Sequence, residues 1–501
     1  MNVARRNPHP KRPPTTRCPR RVCAGRRGTA LLPWLFVLAL LLRGAPAGWA
    51  QPTQPEAGGD PLDNTAFTAG LNGVKIGDDW FLRLTLGGVL RVRDVQFARA
   101  GSLFDQPVRG DLRLLFHLPL SYMVHDGGAP TESRWRREDW DEPSEYLRLA
   151  RIVEYGRPYG PMYLRAGELS NVRIGHRTVV DNYINTLDVD RFRWGIHHNL
   201  NTVYGGYEVL LDNVTAPRLL GMRTYVRPAA LANRDSWWRR FAVGASLFGD
   251  VQAPAVLAQN ADGTYALNSL GQFVVDEGQA TGIVGLDVEL AVVDTEVVSV
   301  TPYSDANVHL AQGAGWHLGS FLAVQPSERV VLDARTEFRL LGAGYLPTYF
   351  GPLYEVERFA FRAPGQSPTL LPKLQWLRTG QEDERRVGWF GELGLNVGQL
   401  VRVAGAVENY QGPDSTNAWF SVSVPAYRYF QFAAYYANTR FQGVRQMFRA
   451  ENALAMAEAR IMLTDGIYFN AQVNRRWKLD PDGRYAPVDD FAVGFSAAFG
   501  F

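Results

Sequence analysis

Chemistry in this sequence would have to come from few residues. There are eight histidines in 501 residues, and two of them, His197 and His198 in "GIHHN", are adjacent. A third, His176, sits in "NVRIGHRTVVDNY" with Asp181 after it and Ser170 before it. An adjacent His pair suits a metal ion, and a Ser and a His with a polar orienter suit acyl hydrolysis. The spacing supports neither: H-x-x-x-H, C-x-x-C, a carboxylate-rich calcium loop and G-x-S-x-G are all missing. Surface or interfacial histidines are the plainer reading, so no metal and no cofactor is expected, and a lipid hydrolase stays only as an alternative.

A larger set of ionisable residues falls on alternate positions. In "WFLRLTLGGVLRVR", Arg83, Arg91 and Arg93 oppose Trp80, Leu82, Leu84, Leu86, Leu90 and Val92. In "DLRLLFHLPLSYMV", Arg113 opposes a face running from Leu112 to Val124. "GIVGLDVELAVV" sets Asp287 and Glu289 against Val284, Leu286, Val288 and Leu290. "VLDARTEFRLL" sets Asp333, Arg335, Glu337 and Arg339 against Leu332, Phe338 and Leu340. Glu392, Arg402, Glu458 and Arg460 repeat the pattern downstream. These are the expected lining of a water-filled interior: eight arginines and six acids, with signs too mixed to fix a selectivity.

The elements that position them are strands, because a strand turns successive side chains to opposite faces. Many of the runs are about 9–12 residues, near the about 9–11 of a tilted membrane strand and longer than the about 5–6 of a soluble one. "AENALAMAEARIML" reads as strand because its apolar residues also alternate. Short turns such as Asp465-Gly466 alternate with long connections, expected over 126–145, 169–191, 250–279, 342–386, 438–451 and 477–489. Segment 342–386 is long enough either to enter the lumen or to cap it. The mixed-charge "SRWRREDWDEPSE" (133–145) reads as a solvated loop, and "DSWWRRF" places Trp237 and Trp238 beside Arg239 and Arg240 at a membrane-interface girdle. The sum is an all-β, up-and-down transmembrane barrel of about 18 strands, 16 being the alternative.

The start of the chain supports export. Met1 to Arg27 holds eight Arg, one Lys and no acid, and "TALLPWLFVLALLL" and small residues follow, as in a secretory signal cut after Ala50. Residues 51–64 are then a short lead-in and 65–501 the barrel. Beyond residue 50 there are 43 basic against 50 acidic residues, a net charge of −7, so the overall +3 gives no case for nucleic acid. Both cysteines, Cys18 and Cys23, lie in the leading segment.

The last stretch, "DDFAVGFSAAFGF", puts Phe491, Val493, Phe495, Phe499 and Phe501 on one face. It resembles the closing C-terminal strand of Gram-negative outer-membrane barrels, although Ser496 stands where a glycine is usual. The resemblance, of a general porin-like kind, implies the outer membrane, contact with its lipid and lipopolysaccharide, recognition by the barrel-assembly machinery, and a homo-oligomer, since porins are commonly trimers. Only three lysines follow residue 50 (Lys75, Lys373 and Lys478), unlike lysine-lined phosphate porins. Two functions stand: a channel for passive diffusion of small hydrophilic solutes or ions, and a plugged barrel serving as lipid-active enzyme, adhesin or structural protein.

Overall fold

Alternating strands with one apolar face are stable only if that face is covered and no edge is left open. The computed structural model describes residues 66–76, 78–126, 133–187, 191–268, 273–327, 329–361, 371–379, 384–398, 400–412, 415–427, 429–448, 453–479 and 485–500; segments 1–50 and 51–64 and Phe501 lie outside them. The strands are β1 (Ala66–Ile76), β2 (Asp79–Ala98), β3 (Val108–His125), β4 (Ile152–Gly156), β5 (Met162–Gly167), β6 (Gly195–Asn201), β7 (Gly205–Leu211), β8 (Leu219–Val226), β9 (Phe241–Leu257), β10 (Val275–Leu290) and β11 (Val293–Asp294). There follow β12 (Val298–His309), β13 (Gly313–Ser327), β14 (Val330–Leu341), β15 (Arg386–Val397), β16 (Val401–Tyr410), β17 (Thr416–Tyr427), β18 (Phe430–Phe441), β19 (Ala453–Thr464), β20 (Ile467–Leu479) and β21 (Tyr485–Gly500). Neighbours in sequence pair antiparallel, except that β10 pairs with β12 directly and the two-residue β11 lies beside β12. The ring closes where β21 meets β1, with Ala66 opposite Gly500 and Lys75 opposite Phe491.

Twenty strands form the ring and β11 stands outside it, which corrects the expected 18 and its alternative of 16. Strands β4 to β8 explain the difference. They are five to eight residues long, and β5 is buried on successive residues, Arg165, Ala166 and Gly167. A short strand covered on both sides carries little alternation to read. Two expected loops are also shorter. β9 and β10 continue to Leu257 and from Val275 through register shifts, and β20 and β21 stay paired as far as Leu479 and Tyr485. Segment 453–464 is strand β19, and Asp465-Gly466 makes a tight turn with Gly466 at φ +78°.

The two faces of the sheet differ as the alternation requires. Outward side chains are large and apolar around the ring, among them Leu82, Leu84, Leu286, Phe338, Leu393, Phe420, Phe495 and Phe499. Trp237 and Trp238 are exposed in a turn just before β9. Inward positions carry the charges. The connections are unequal at the two ends. At the end where β1 begins, most are short, such as 328–329, 398–400, 428–429 and 465–466, with 99–107 and 227–240 the longer ones. At the far end stand 126–151, 168–194, 258–274, 342–385 and 442–452.

Two of these far-end segments fill the interior. Val172, Ile174, Val180 and Tyr183 of the first share one apolar cluster with Tyr349, Phe350 and Tyr354 of the second. Their backbones join: Thr348 and Phe350 donate N–H bonds to the carbonyls of Thr178 (2.8 Å) and Val179 (3.0 Å). Of the two placements open for 342–386, its described residues thus take the inner one.

Candidate functional site

Residues 169–187 form a hairpin strap across the lumen. Val172 and Tyr183 exchange backbone hydrogen bonds of 3.0 Å, and the tip lies near Gly175 to Thr178. Gly175 has φ +56°, and a Cβ there would stand 2.7 Å from Cδ of Arg223, so only glycine fits without strain. Its N–H donates to Glu208 Oε2 of β7 at 3.0 Å. On one side His176 reaches β10 and β12. Its Nε2 lies 2.8 Å from Glu289 Oε2, its Nδ1 lies 3.8 Å from Asp287 and from Asp305, and its ring stacks on Tyr303 at 4.2 Å. Thr178 donates to Asp305 Oδ2 at 2.6 Å. On the other side Arg177 donates to both oxygens of Glu392 on β15 at 3.1 and 3.2 Å. Arg173 pairs with Glu392 at 3.2 Å, and Arg335 on β14 pairs with Asp181 at 3.0 Å. Burial opposes a charged ring at His176, but the carboxylates of Asp305 and Glu289 outweigh it and raise its pKa to about 9. The strap tip is therefore held by charge-assisted bonds to one arc of the wall, β7 to β15.

Beside the strap lies a cavity of about 400 Å³, within the range of about 300–1,000 Å³ common for small-molecule sites. Its barrel wall is β1 to β3 and β19 to β21, and its inner wall is the folded-in chain at 136–151, 168, 186 and 191–192. The ionisable lining is Arg83, Arg136, Arg148, Arg151, Arg191 and Arg460 against Asp139, Glu168 and Glu458, with His117. Arg83 donates to Ser121 Oγ (2.9 Å), which donates to Asp139 Oδ2 (2.9 Å). Although burial opposes it, Arg136, Arg83 and Arg148 hold the Asp139 carboxyl well below the usual carboxylate range. Segment 133–145 is thus only in part a solvated loop: Arg134, Trp135, Arg137 and Asp141 are exposed, but Arg136, Asp139, Ser144 and Glu145 are buried, with Arg136 paired to Asp139 and Glu145 to Arg148.

The sequence-derived lining residues fall into four groups. Arg83, Glu458 and Arg460 come together in this cavity. Asp287, Glu289, Arg335, Glu337, Arg339 and Glu392 also face inward, but they are bound up in ion pairs with the strap or one another: Arg223 with Asp287, Arg335 and Arg339 with Glu337, Arg339 with Glu408. Asp333 and Arg402 line a smaller space beyond the strap. Arg91, Arg93 and Arg113 sit toward the near end of β2 and β3, where Arg91 bonds Asp111 (2.8 Å) and Arg113 bonds Glu154 (3.3 Å). Phe491, Phe495 and Phe499 point outward on the closing strand, with Val493 on the same side.

The candidate chemical residues do not converge. His197 is buried against Tyr163, while His198, on the opposite face of β6, bonds the Tyr163 carbonyl (2.6 Å) and the Tyr207 hydroxyl (3.0 Å). Adjacent strand residues point apart, so the two cannot share one ion. Among the described residues no group of three His, Cys, Asp or Glu is placed to hold a metal. His176 is committed to the strap, and neither it nor Ser170 faces lipid. Residues missed from the sequence are those of the inserts, Arg136, Asp139, Arg148, Arg151 and Glu168. Their segments show no periodicity, and only the charge density of 133–145 marked one of them.

A closed antiparallel ring, apolar outside and ionic inside, with chain folded across the bore, is the architecture of an outer-membrane type of barrel. No protein-family model matches the chain, and no curated protein does. Among solved structures, 88% of the chain aligns with all of Pseudomonas aeruginosa OccK9 (OpdG) at 10% identity and a TM-score of 0.30. Acinetobacter baumannii OccAB3 aligns over 87% of this chain and 99% of its own, at 10% identity and a TM-score of 0.30. Pseudomonas aeruginosa OccK2 (OpdF) in complex with glucuronate aligns over 87% and 98%, at 9% identity and a TM-score of 0.29. At that distance, function has to be argued from the bore of this barrel itself.

Proposed function

We propose that the protein is an outer-membrane, porin-like channel through which small hydrophilic solutes and ions diffuse passively, with anions favoured. The observation that carries this reading is the cavity beside the strap, lined by six arginines and three acids, in a ring whose outer face is apolar. A charged bore with low-dielectric walls concentrates ions of opposite sign and raises their entry rate. The net charge of the lining is opposite to that of the chain beyond residue 50, so local placement, not overall charge, sets the preference. The end with mostly short turns would be periplasmic and the far end extracellular. Lipid and lipopolysaccharide would contact the outer face, the closing strand with Phe495 and Phe499 would serve the assembly machinery, and a homo-oligomer would form through that outer face. The inward charges bound to the strap would set the bore's width, with Arg83, Glu458 and Arg460 lining the route. The plugged-barrel reading draws on the strap itself, and the same measurement separates the two.

The test is single-channel recording from refolded protein in a planar bilayer under a potassium chloride gradient. Discrete steps with a reversal potential of anion-selective sign are expected. Silence from folded protein would favour a plugged barrel and overturn the channel.

The membrane placement has its own test. Leu393 lies mid-strand on β15 and is 62% exposed on the outer face. Leu393→Arg should cost about 2–4 kcal/mol if that position meets the bilayer midplane, read as a lower denaturant midpoint for refolding into lipid vesicles. An unchanged midpoint would mean that this face does not contact hydrocarbon. Arg402, facing inward on the adjacent β16, shows that the interior side of the same region accommodates the charge.

A further inference from the structure

Two smaller cavities lie on the other flank of the strap, along the wall formed by β14 to β19. One, of about 120 Å³, opens beneath the second insert and is lined toward the far end by Tyr410, Asn417 and Thr439. The other, of about 60 Å³, lies deeper, against Arg402, Ser421 and Tyr435. Two residues are common to both linings, Asn182 of the strap and Trp419 of β17. Arg173 locks this junction: its Nε donates to Asn182 Oδ1 at 2.9 Å, and its guanidinium lies 5.5 Å from the Trp419 ring. Trp419 in turn stacks on Tyr435 at 6.4 Å.

The lining of this flank differs from that of the arginine-rich cavity. The deeper space has two arginines, Arg173 and Arg402, and two acids, Asp333 and Glu392. In the upper space Asp181 is paired with Arg335, Glu408 with Arg339, and Lys373 with Glu357, while Arg386 donates to the Tyr345 carbonyl at 3.1 Å. The wall between is small or neutral: Ala404, Ala406, Ala433, Ala437 and Ser421. Two residues lining these spaces, Tyr435 and Thr439, have hydroxyls buried without a hydrogen-bond partner. Unpaired buried hydroxyls are uncommon, and each gains a partner if the junction opens to a solute.

We propose that this flank is a second, electroneutral passage for uncharged polyhydroxylated solutes, closed at mid-depth by Trp419 against Asn182. The proposal rests on the channel reading and adds to it a separate route with a separate class of solute. Hydroxyl and amide groups between small side chains match a solute that offers hydroxyls and no charge, and ion pairs already satisfied within the wall give a free anion no advantage there. Trp419 is then the residue that sets which solutes cross.

The test compares wild type, Trp419→Ala and Asn182→Gly, all refolded and checked for the heat-modifiable gel migration of a folded barrel. Asn182 has φ +55°, a conformation glycine adopts freely, so its removal leaves the backbone unstrained even if the Trp419 variant does not fold. Proteoliposome swelling is read in the neutral pentose arabinose, and reversal potential in potassium chloride. Each variant should swell several-fold faster than wild type, and its reversal potential should move toward zero as an unselective path is added. Unchanged swelling in the folded variants overturns the second passage, whether or not wild type conducts. A silent wild type with arabinose-permeable variants would sustain this passage while removing the first.

Discussion

Glu392→Gln is expected to raise the single-channel current several-fold and to make it noisy. Glu392 is buried and receives Arg173, Arg177 and, at 3.8 Å, Arg335. Gln keeps the shape and one acceptor oxygen but takes the carboxylate from Arg177, leaves Arg173 with Asp181 alone, and leaves Arg335 with Asp181 and Glu337. Breaking a buried pair by removing one partner costs about 3–5 kcal/mol, and a shift of that size moves a two-state element by roughly a hundredfold or more. The strap would then leave the β15 wall for part of the time while His176 and Thr178 still held it at β10 and β12. The second anchor, at β10 and β12, supplies a pH signature. The His176 pKa of about 9 lies above its ordinary 6.5, so protonation stabilises the docked strap fully below about pH 6.5, and that contribution is lost as pH rises through 9. Arg223, Asp287, Glu289 and Asp305 face the ring. The variant should therefore grow noisier from pH 7 to pH 9.5, where both anchors are weak. Equal current and noise in variant and wild type across that range would mean that the strap does not limit the bore.

Much of the barrel was legible in the sequence because alternation is a direct record of a two-faced sheet. Leu286, Phe338 and Phe495 could be assigned to the outer face from spacing alone, as could the inward turn of Arg335 and Glu392. The strand count was harder to read, because β4 and β5 are short and packed from inside, so Tyr163 and Arg165 are buried where a lumen-facing residue would be wet. The site itself was only half visible. Spacing gives the direction in which Arg83 and Arg339 point, but it cannot tell that Arg83 meets an open cavity while Arg339 is sealed between Glu337, Glu408 and the Phe390 ring. Arg339 is sealed by neighbours on β14 to β16, whereas the cavity at Arg83 is bounded by chain folded inward at 136–151, whose contacts lie far away in sequence. His176 was noticed as a reactive type, and its position among carboxylates explains it better as an anchor.

The sharpest consequence of the open cavity is electrical. Arg83→Glu combined with Arg460→Glu should invert the sign of the reversal potential, from anion to cation selectivity. Each replacement changes the lining charge by two, which turns an excess of three positive charges into an excess of one negative. Both side chains stand in the bore, Arg460 over the Tyr468 ring at 4.0 Å and Arg83 beside Ser121. Asp139 keeps Arg136 and Arg148 when Arg83 is lost, so the inner wall retains its own pairs. Arg113→Glu is the matching control. It changes charge by the same amount per residue, but at an exposed position near the short-turn end and outside the cavity lining. At 0.15 M salt the Debye length is about 8 Å, which largely screens such a charge from the ions in the cavity. The control should shift the reversal potential little, and the difference should widen as salt is raised. If the double variant keeps anion selectivity in folded, conducting protein, the current does not pass the arginine-lined cavity. If Arg113→Glu inverts the sign as readily, selectivity is set at the mouth and not beside the strap.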